Sequence, residues 1–283
     1  MFKLRLLFFI ILVFLCDVSI EAQLRYSVVG TFNKKGAQGM AINGKYAYLM
    51  NDGGLCRQYN LENMTVVKCF QLGCSSENPH VNNVCFGKET YNGSSIPLIY
   101  ITECRKVGFR CFVEDISGEV PQVLQTIQAK ERGEVARVYV WVVDTLQKAL
   151  YTITRSSDLL DSLGSVHNTI TKYHLPLLNQ GRFVVLTEKD IVERFDITFP
   201  NVLQGCKIKG NKMYIVTGYQ QSLGHLKDSK RAIHVVDLKK REVIKNIDLT
   251  YITTNEPEDV DFYKGKCLLY CGQEGGIYEI KMK

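Results

Sequence analysis

The chain has 283 residues, with 35 basic and 29 acidic side chains, a net charge of +6 and ten cysteines. The charges of both signs are mixed along the sequence, and no basic stripe interleaved with aromatic residues occurs, which argues against a nucleic-acid face. The length is ample for a large core and fits one large all-β domain as well as two small ones.

Lys3 and Arg5 precede an unbroken apolar run from Leu6 to Cys16, the pattern of an export signal and too short to span a bilayer. Cleavage near Ala22 would leave residues 1–22 as the signal and 23–283 as one secreted or periplasmic domain. Lipidation at Cys16 is the lesser alternative, because Leu15 stands where a small residue is wanted. No later run is long and apolar enough for a membrane-spanning helix.

From there the chain reads as short strands rich in Val, Ile, Tyr, Thr and Phe, bounded by Gly, Asn and Asp. Helical periodicity is nearly absent. Thr145–Leu150 and Ser156–Leu163 are its best candidates.

The strands fall into a degenerate repeat of about 50 residues with four strands each. The first unit comprises Gln38–Ile42, Tyr46–Met50, Cys56–Leu61 and Thr65–Cys69. The second comprises Asn83–Gly87, Leu98–Thr102, Cys111–Ile116 and Gln122–Ile127. The third is the least regular. It takes Val138–Val143, Leu150–Ile153, Thr169–Tyr173 and Val192–Ile197, and its extra length implies an insertion or a different register. The fourth matches the first most closely: Gln204–Ile208, Lys212–Val216, Ile233–Leu238 and Val243–Ile247. The fifth has Asp259–Phe262, Cys267–Cys271 and Gly276–Ile280, and stops one strand short.

Such units are the blades of a β-propeller, each a small twisted sheet that buries its faces only against its neighbours. Leu24–Val29 precedes the first unit without a partner and supplies the missing strand, closing a five-bladed ring and covering an exposed edge. A six-bladed ring is the alternative, if residues 130–200 hold two irregular blades.

Polar residues recur where the innermost strands begin: Gln38; His80, Asn82 and Asn83; Gln204; and Glu256, Glu258 and Asp259. In a ring these starts converge on the axis, so the eight are the candidate ligand-binding residues. They are also ordinary turn and strand-start types. Gln-Gly at Gln38-Gly39 and again at Gln204-Gly205 points to a shared geometrical role. The acidic stretch Glu256-Pro257-Glu258-Asp259 offers oxygen ligands for a Ca²⁺ ion or an acid/base pair. No other cofactor is indicated, since Walker A, dinucleotide and nucleophile-elbow motifs are absent.

The cysteine spacing matches no zinc pattern. Cys56 with Cys69, and Cys104 with Cys111, flank hairpins and are candidates to face each other. The densest basic cluster, Lys227, Lys230, Arg231 and Lys239 to Arg241, reads as solvated loops and hairpin tips.

Gln38-Gly39 followed by Tyr46-Ala47-Tyr48 and the Asn60-Leu61 hairpin resembles blades of glutaminyl cyclotransferase-type five-bladed propellers and of YncE-like propellers. Asn255-Glu256-Pro257-Glu258 is similar to an Asn-Glu-Leu-Glu motif of the former family, with Pro257 in place of leucine. The resemblance implies Glu258 as an acid/base residue. The residues themselves favour a binding module that takes a carbohydrate, peptide or protein at the channel mouth. The alternative is a cyclotransferase, lyase or hydrolase using Glu256, Glu258 or His80.

Overall fold

The computed structural model describes residues 23–26, 37–104, 108–155, 165–200, 202–219, 230–272 and 276–282. The expected signal, Cys16, Lys227 and the Ser156–Leu163 helix candidate lie outside them.

The described chain forms five small sheets in a ring, antiparallel but for one added strand. β1 (Gln23–Tyr26) comes first in sequence and belongs to the last sheet. Blade one is β2 (Ala37–Asn43), β3 (Tyr46–Asn51), β4 (Leu55–Asn60) and β5 (Thr65–Gln71). Blade two is β6 (Val81–Thr90), β7 (Pro97–Glu103), β8 (Cys111–Asp115) and β9 (Gln122–Glu131), extended by β10 (Glu134–Val135). Blade three is β11 (Val138–Asp144), β12 (Ala149–Arg155) and β13 (Ser165–His174), joined after an insertion by β15 (Ile191–Pro200). That insertion carries β14 (Phe183–Leu186), which pairs in parallel with β9 of blade two. Blade four is β16 (Leu203–Lys209), β17 (Lys212–Thr217), β18 (Ala232–Asp237) and β19 (Glu242–Asp248). Blade five is β20 (Pro257–Tyr263), β21 (Lys266–Cys271) and β22 (Gly276–Ile280), completed by β1.

The closure is antiparallel, with Gln23 opposite Glu279 and Tyr26 opposite Ile277. The irregular third unit is one blade with an insertion, so residues 130–200 do not make two and the six-bladed alternative falls. Thr145–Lys148 is a turn and β12 begins at Ala149, so no helix forms there. Leu146 at the turn is exposed, and Ala149 and Leu150 are buried as the first residues of β12, so the stretch has no helical apolar face.

Burial declines outward in blades one and four, from β2 to β5 and from β16 to β19. All seven residues of β11 are buried, whereas β5 and β19 are mostly exposed. Strands near the axis are covered on both faces by neighbouring blades, and outer strands meet water. The core lies between the sheets: Met40, Leu49 and Tyr59 of blade one pack with Leu268, Tyr270 and Ile277 of blade five.

The Asp or Asn that ends the third strand of several units has a local cause. Asn60 Oδ1 accepts from Glu62 N, Asp115 Oδ1 from Ser117 N, and Asp237 Oδ1 from Lys239 N and Lys240 N. Each closes the turn into the fourth strand by a side chain to backbone bond.

No disulfide joins any of the nine described cysteines. Cys69 stands opposite Arg57 and Phe70 opposite Cys56, so Cys56 and Cys69 project to opposite faces and cannot bridge. Cys111 stands opposite Thr102, two residues from Cys104, which removes that pair from register as well. Lys239 to Arg241 do sit at a hairpin tip, but Arg231 is buried and donates to Thr253 O at 3.0 Å.

Candidate functional site at the channel mouth

Each innermost strand breaks register just after it begins. The shifts fall between Ala37 and Met40, Val81 and Val84, Val138 and Val140, Leu203 and Cys206, and Pro257 and Asp259. A bulge adds unpaired residues and re-aims their side chains. With the same bulge in all five blades, Gln38, Asn82, Tyr139, Gln204 and Glu258 occupy equivalent places around the axis.

Four of these five line a cavity of about 90 Å³ at the mouth, together with His80, Cys104, Val202, Leu203, Tyr219 and Glu256. Among the described residues its only carboxylate is Glu256. Gln204 Nε2 donates to Glu256 Oε1 at 2.6 Å and to Gly218 O at 2.9 Å, which fixes both side chains. Asn82 Nδ2 donates to Tyr139 O at 3.0 Å, tying blade two to blade three. Cys104 N donates to His80 O at 3.0 Å. The Tyr139 ring is held by Phe109, edge-on at 5.6 Å, and by the Arg155 guanidinium at 4.6 Å.

Of the eight candidates, Gln38, His80, Asn82, Gln204 and Glu256 border the cavity, and Asn83, Glu258 and Asp259 do not. Asn83 is fully buried below it. Its Nδ2 donates to Trp141 O at 2.8 Å and its Oδ1 accepts from Cys206 N at 2.6 Å, so one side chain joins blades two, three and four. Because blades two and four are not neighbours, this bond crosses the axis and gives the cavity a floor. The site is a cup and not a bore.

Asp259 staples blade five to blade one: Oδ2 accepts from Met40 N at 2.8 Å and Oδ1 from Val260 N. Burial nevertheless drives its carboxyl well above the usual range, against the pull of those two N–H groups. Further down, Asp261 Oδ2 accepts from Ile42 N and from Lys207 Nζ, both at 2.8 Å. Burial acts to lower the Lys207 ammonium, and Asp261, Cys85 and Asp259 together outweigh it, so its pKa is raised.

Glu258 is buried against Gly272, where a Cβ would meet the carboxyl oxygen. Burial, then the charges of Glu256 and Asp259, raise its pKa well above 4.5. Its Oε2 has no partner among the described residues, and neither has the buried hydroxyl of Tyr270. The two segments Glu256 and Glu258 thus hold carboxyls in unlike surroundings, one open to the cavity and one sealed. Among the described residues no three His, Cys, Asp or Glu side chains group as a metal ion would need.

Tyr139, Cys104 and Tyr219 were not evident from sequence. Tyr139 lies at the bulge of the third unit, inside what reads as a plain apolar strand. Cys104 and Tyr219 follow the second strands β7 and β17, so the turns at that end also reach the mouth. The usable signal was the repeat itself, applied to every position and not only to polar ones.

No protein-family profile and no curated protein sequence matches the chain. Among solved structures, the crystal structure of Myxococcus xanthus glutaminyl cyclase is similar at a TM-score of 0.52 and 14% identity, covering 89% of this chain and 92% of that one. The structure of apo AztD from Citrobacter koseri gives a TM-score of 0.36 at 14% identity, covering 75% of this chain and 47% of that one. The likeness to glutaminyl cyclase is one of fold. The chain is a five-bladed propeller resembling the glutaminyl cyclase type.

Proposed function

From a five-bladed ring with one polar cup at its axis, we propose a binding module, working outside the cytoplasm, that takes the amino-terminal end of a peptide. The observation that carries this is the composition of the cup. Among the described residues, side-chain amides, a histidine and two tyrosines surround a single carboxylate, Glu256, pinned by Gln204. An ammonium group entering such a site exchanges water for a charge-assisted bond to Glu256, and the amides satisfy the first peptide units. A cup of about 90 Å³ suits the end of a chain better than its middle.

The test is a titration of short peptides with free or acetylated amino termini, alongside a glycan array. Free termini are expected to bind, acetylated ones at least about tenfold more weakly, and Glu256→Gln to remove the difference. Equal binding of both peptide forms, or binding confined to glycans, overturns the reading.

A catalytic reading is favoured by one observation: two carboxyls two residues apart in unlike surroundings, Glu256 bordering the cup and Glu258 buried with its pKa raised, as a proton-holding acid would have it. Cyclisation of an amino-terminal glutamine would close the α-amino nitrogen on the side-chain amide carbon and release ammonia. Glu258 would then be the acid, as the likeness to a glutaminyl cyclase suggests. Binding leads because Glu258 does not border the cup. Ammonia release from glutamine-initiated peptides, abolished in Glu258→Gln, would reverse that order.

A further inference from the structure

We propose that the face of the ring opposite the cup docks on an anionic lipid bilayer, held by a ring of lysines and two apolar turn tips. The innermost strand of each blade runs away from the cup and turns into the second strand on that far face. Each of these five turns presents an exposed lysine: Lys45, Lys88, Lys148, Lys209 and Lys264. β2, β11, β16 and β20 are each seven residues long, so four of the five lysines stand at a similar height and the face is broad and flat. Lys148 and Lys264 take φ of 51° and 47°, where Asn or Gly is the favoured turn residue, so turn geometry does not account for them.

The charge of this inner ring is unbalanced. The carboxylates in the same turns are Glu89 and buried Asp144, and Asp144 closes its own turn by accepting from Leu146 N and Gln147 N. Glu62, on a neighbouring outer turn, serves two lysines at once, Lys264 Nζ at 3.1 Å and Lys45 Nζ at 3.7 Å. Among the described residues no carboxylate pairs with Lys88, Lys148 or Lys209. On the outer turns exposed Glu119 and Lys239 offset each other, and Lys240 and Arg241 have Glu242 and Glu193, so the excess sits around the axis. Two apolar side chains project from the same face: Leu146, 67% exposed beside Lys148, and Val120, 74% exposed on the outer turn of blade two. Lysines beside apolar tips match a charged headgroup layer over hydrocarbon, which a soluble polyanion does not offer. A flat ring of charge also fits a plane better than a linear polymer.

Co-sedimentation of the purified protein with lipid vesicles tests this. Binding is expected to phosphatidylcholine vesicles containing phosphatidylglycerol and not to phosphatidylcholine alone, and it should fall as salt shortens the reach of charge. Lys88→Gln, Lys148→Gln and Lys209→Gln together should weaken it about 100-fold, near fivefold for each lysine. Arg132→Gln, Arg137→Gln and Lys230→Gln remove the same charge from exposed positions on the cup side, and should change it less than about twofold. Leu146→Ser should weaken vesicle binding about fivefold and leave binding to a soluble sulfated polysaccharide unchanged. All these variants lie in exposed turns and should keep the circular dichroism of the intact protein. Absence of binding to anionic vesicles, equal loss from the two triple variants, or Leu146→Ser without effect on vesicles overturns the proposal, the last in favour of a polyanion partner.

Discussion

Gly39 and Gly205 occupy the same position in blades one and four, each beside a glutamine that lines the cup. A Cβ on Gly39 would meet Asn82 O at 2.8 Å, and one on Gly205 would meet Glu258 O at 2.6 Å and press on the Asp259 carboxyl. In both cases the obstacle is the bulged backbone of the next blade, which cannot move aside as a flexible side chain would. Gly205→Ala is therefore expected to destabilise the fold by about 3 kcal/mol, read as a fall in denaturation midpoint. Asn83→Ala leaves the buried Cys206 N–H without its acceptor and Trp141 O short of a donor. A cost of about 2–4 kcal/mol follows, with a melting temperature lowered by about 5–10 °C.

At the scale of elements, the bulge is what converts a strand start into a site. Without it, Gln38 and Asn82 would alternate with their neighbours in an unbroken ladder, and their side chains would not converge. The closing strand matters in another way. β22 has β1 as its outer neighbour, and loss of β1 would open a full strand edge on blade five. A chain beginning at residue 37 should melt well below the intact protein and aggregate on heating, checked by scanning calorimetry and light scattering. Equal melting of the two would show that β1 adds nothing to the ring.

For the whole molecule, the buried carboxyl of Glu258 links stability to pH. Its folded pKa lies well above the ordinary 4.5, so the folded protein holds this proton more tightly than the unfolded chain. The stability it contributes is fully present below about 4.5 and is lost as pH rises through the folded value. Glu258→Gln mimics the neutral form. The variant should match the intact protein in acid and melt higher near neutral pH, flattening the pH dependence. His234 acts in the opposite sense. Burial lowers it from 6.5, so its contribution is present above that value and is lost as pH falls. A Glu258→Gln profile parallel to that of the intact protein would mean that Glu258 ionises freely in the fold.

The sequence by itself determined the ring. Strand types, turn residues and a repeat of about 50 residues are local properties, and Asn60, Asp115 and Asp237 mark the repeat through bonds within their own turns. It also pointed to the mouth, since Gln38, His80, Asn82, Gln204 and Glu256 recur at strand starts and line one cavity. Only the tertiary structure decided which strand-start residues face that cavity and which hold blades together. Asn83, Glu258 and Asp259 look the same as their neighbours in sequence, yet their partners lie on other blades or they are sealed from water. Tyr139 and Cys104 were hidden for the converse reason: apolar residues in apolar runs carry no local sign of facing an axis. Bulge placement and contacts between blades depend on residues far apart in the chain, and those distances exist only once the ring has closed.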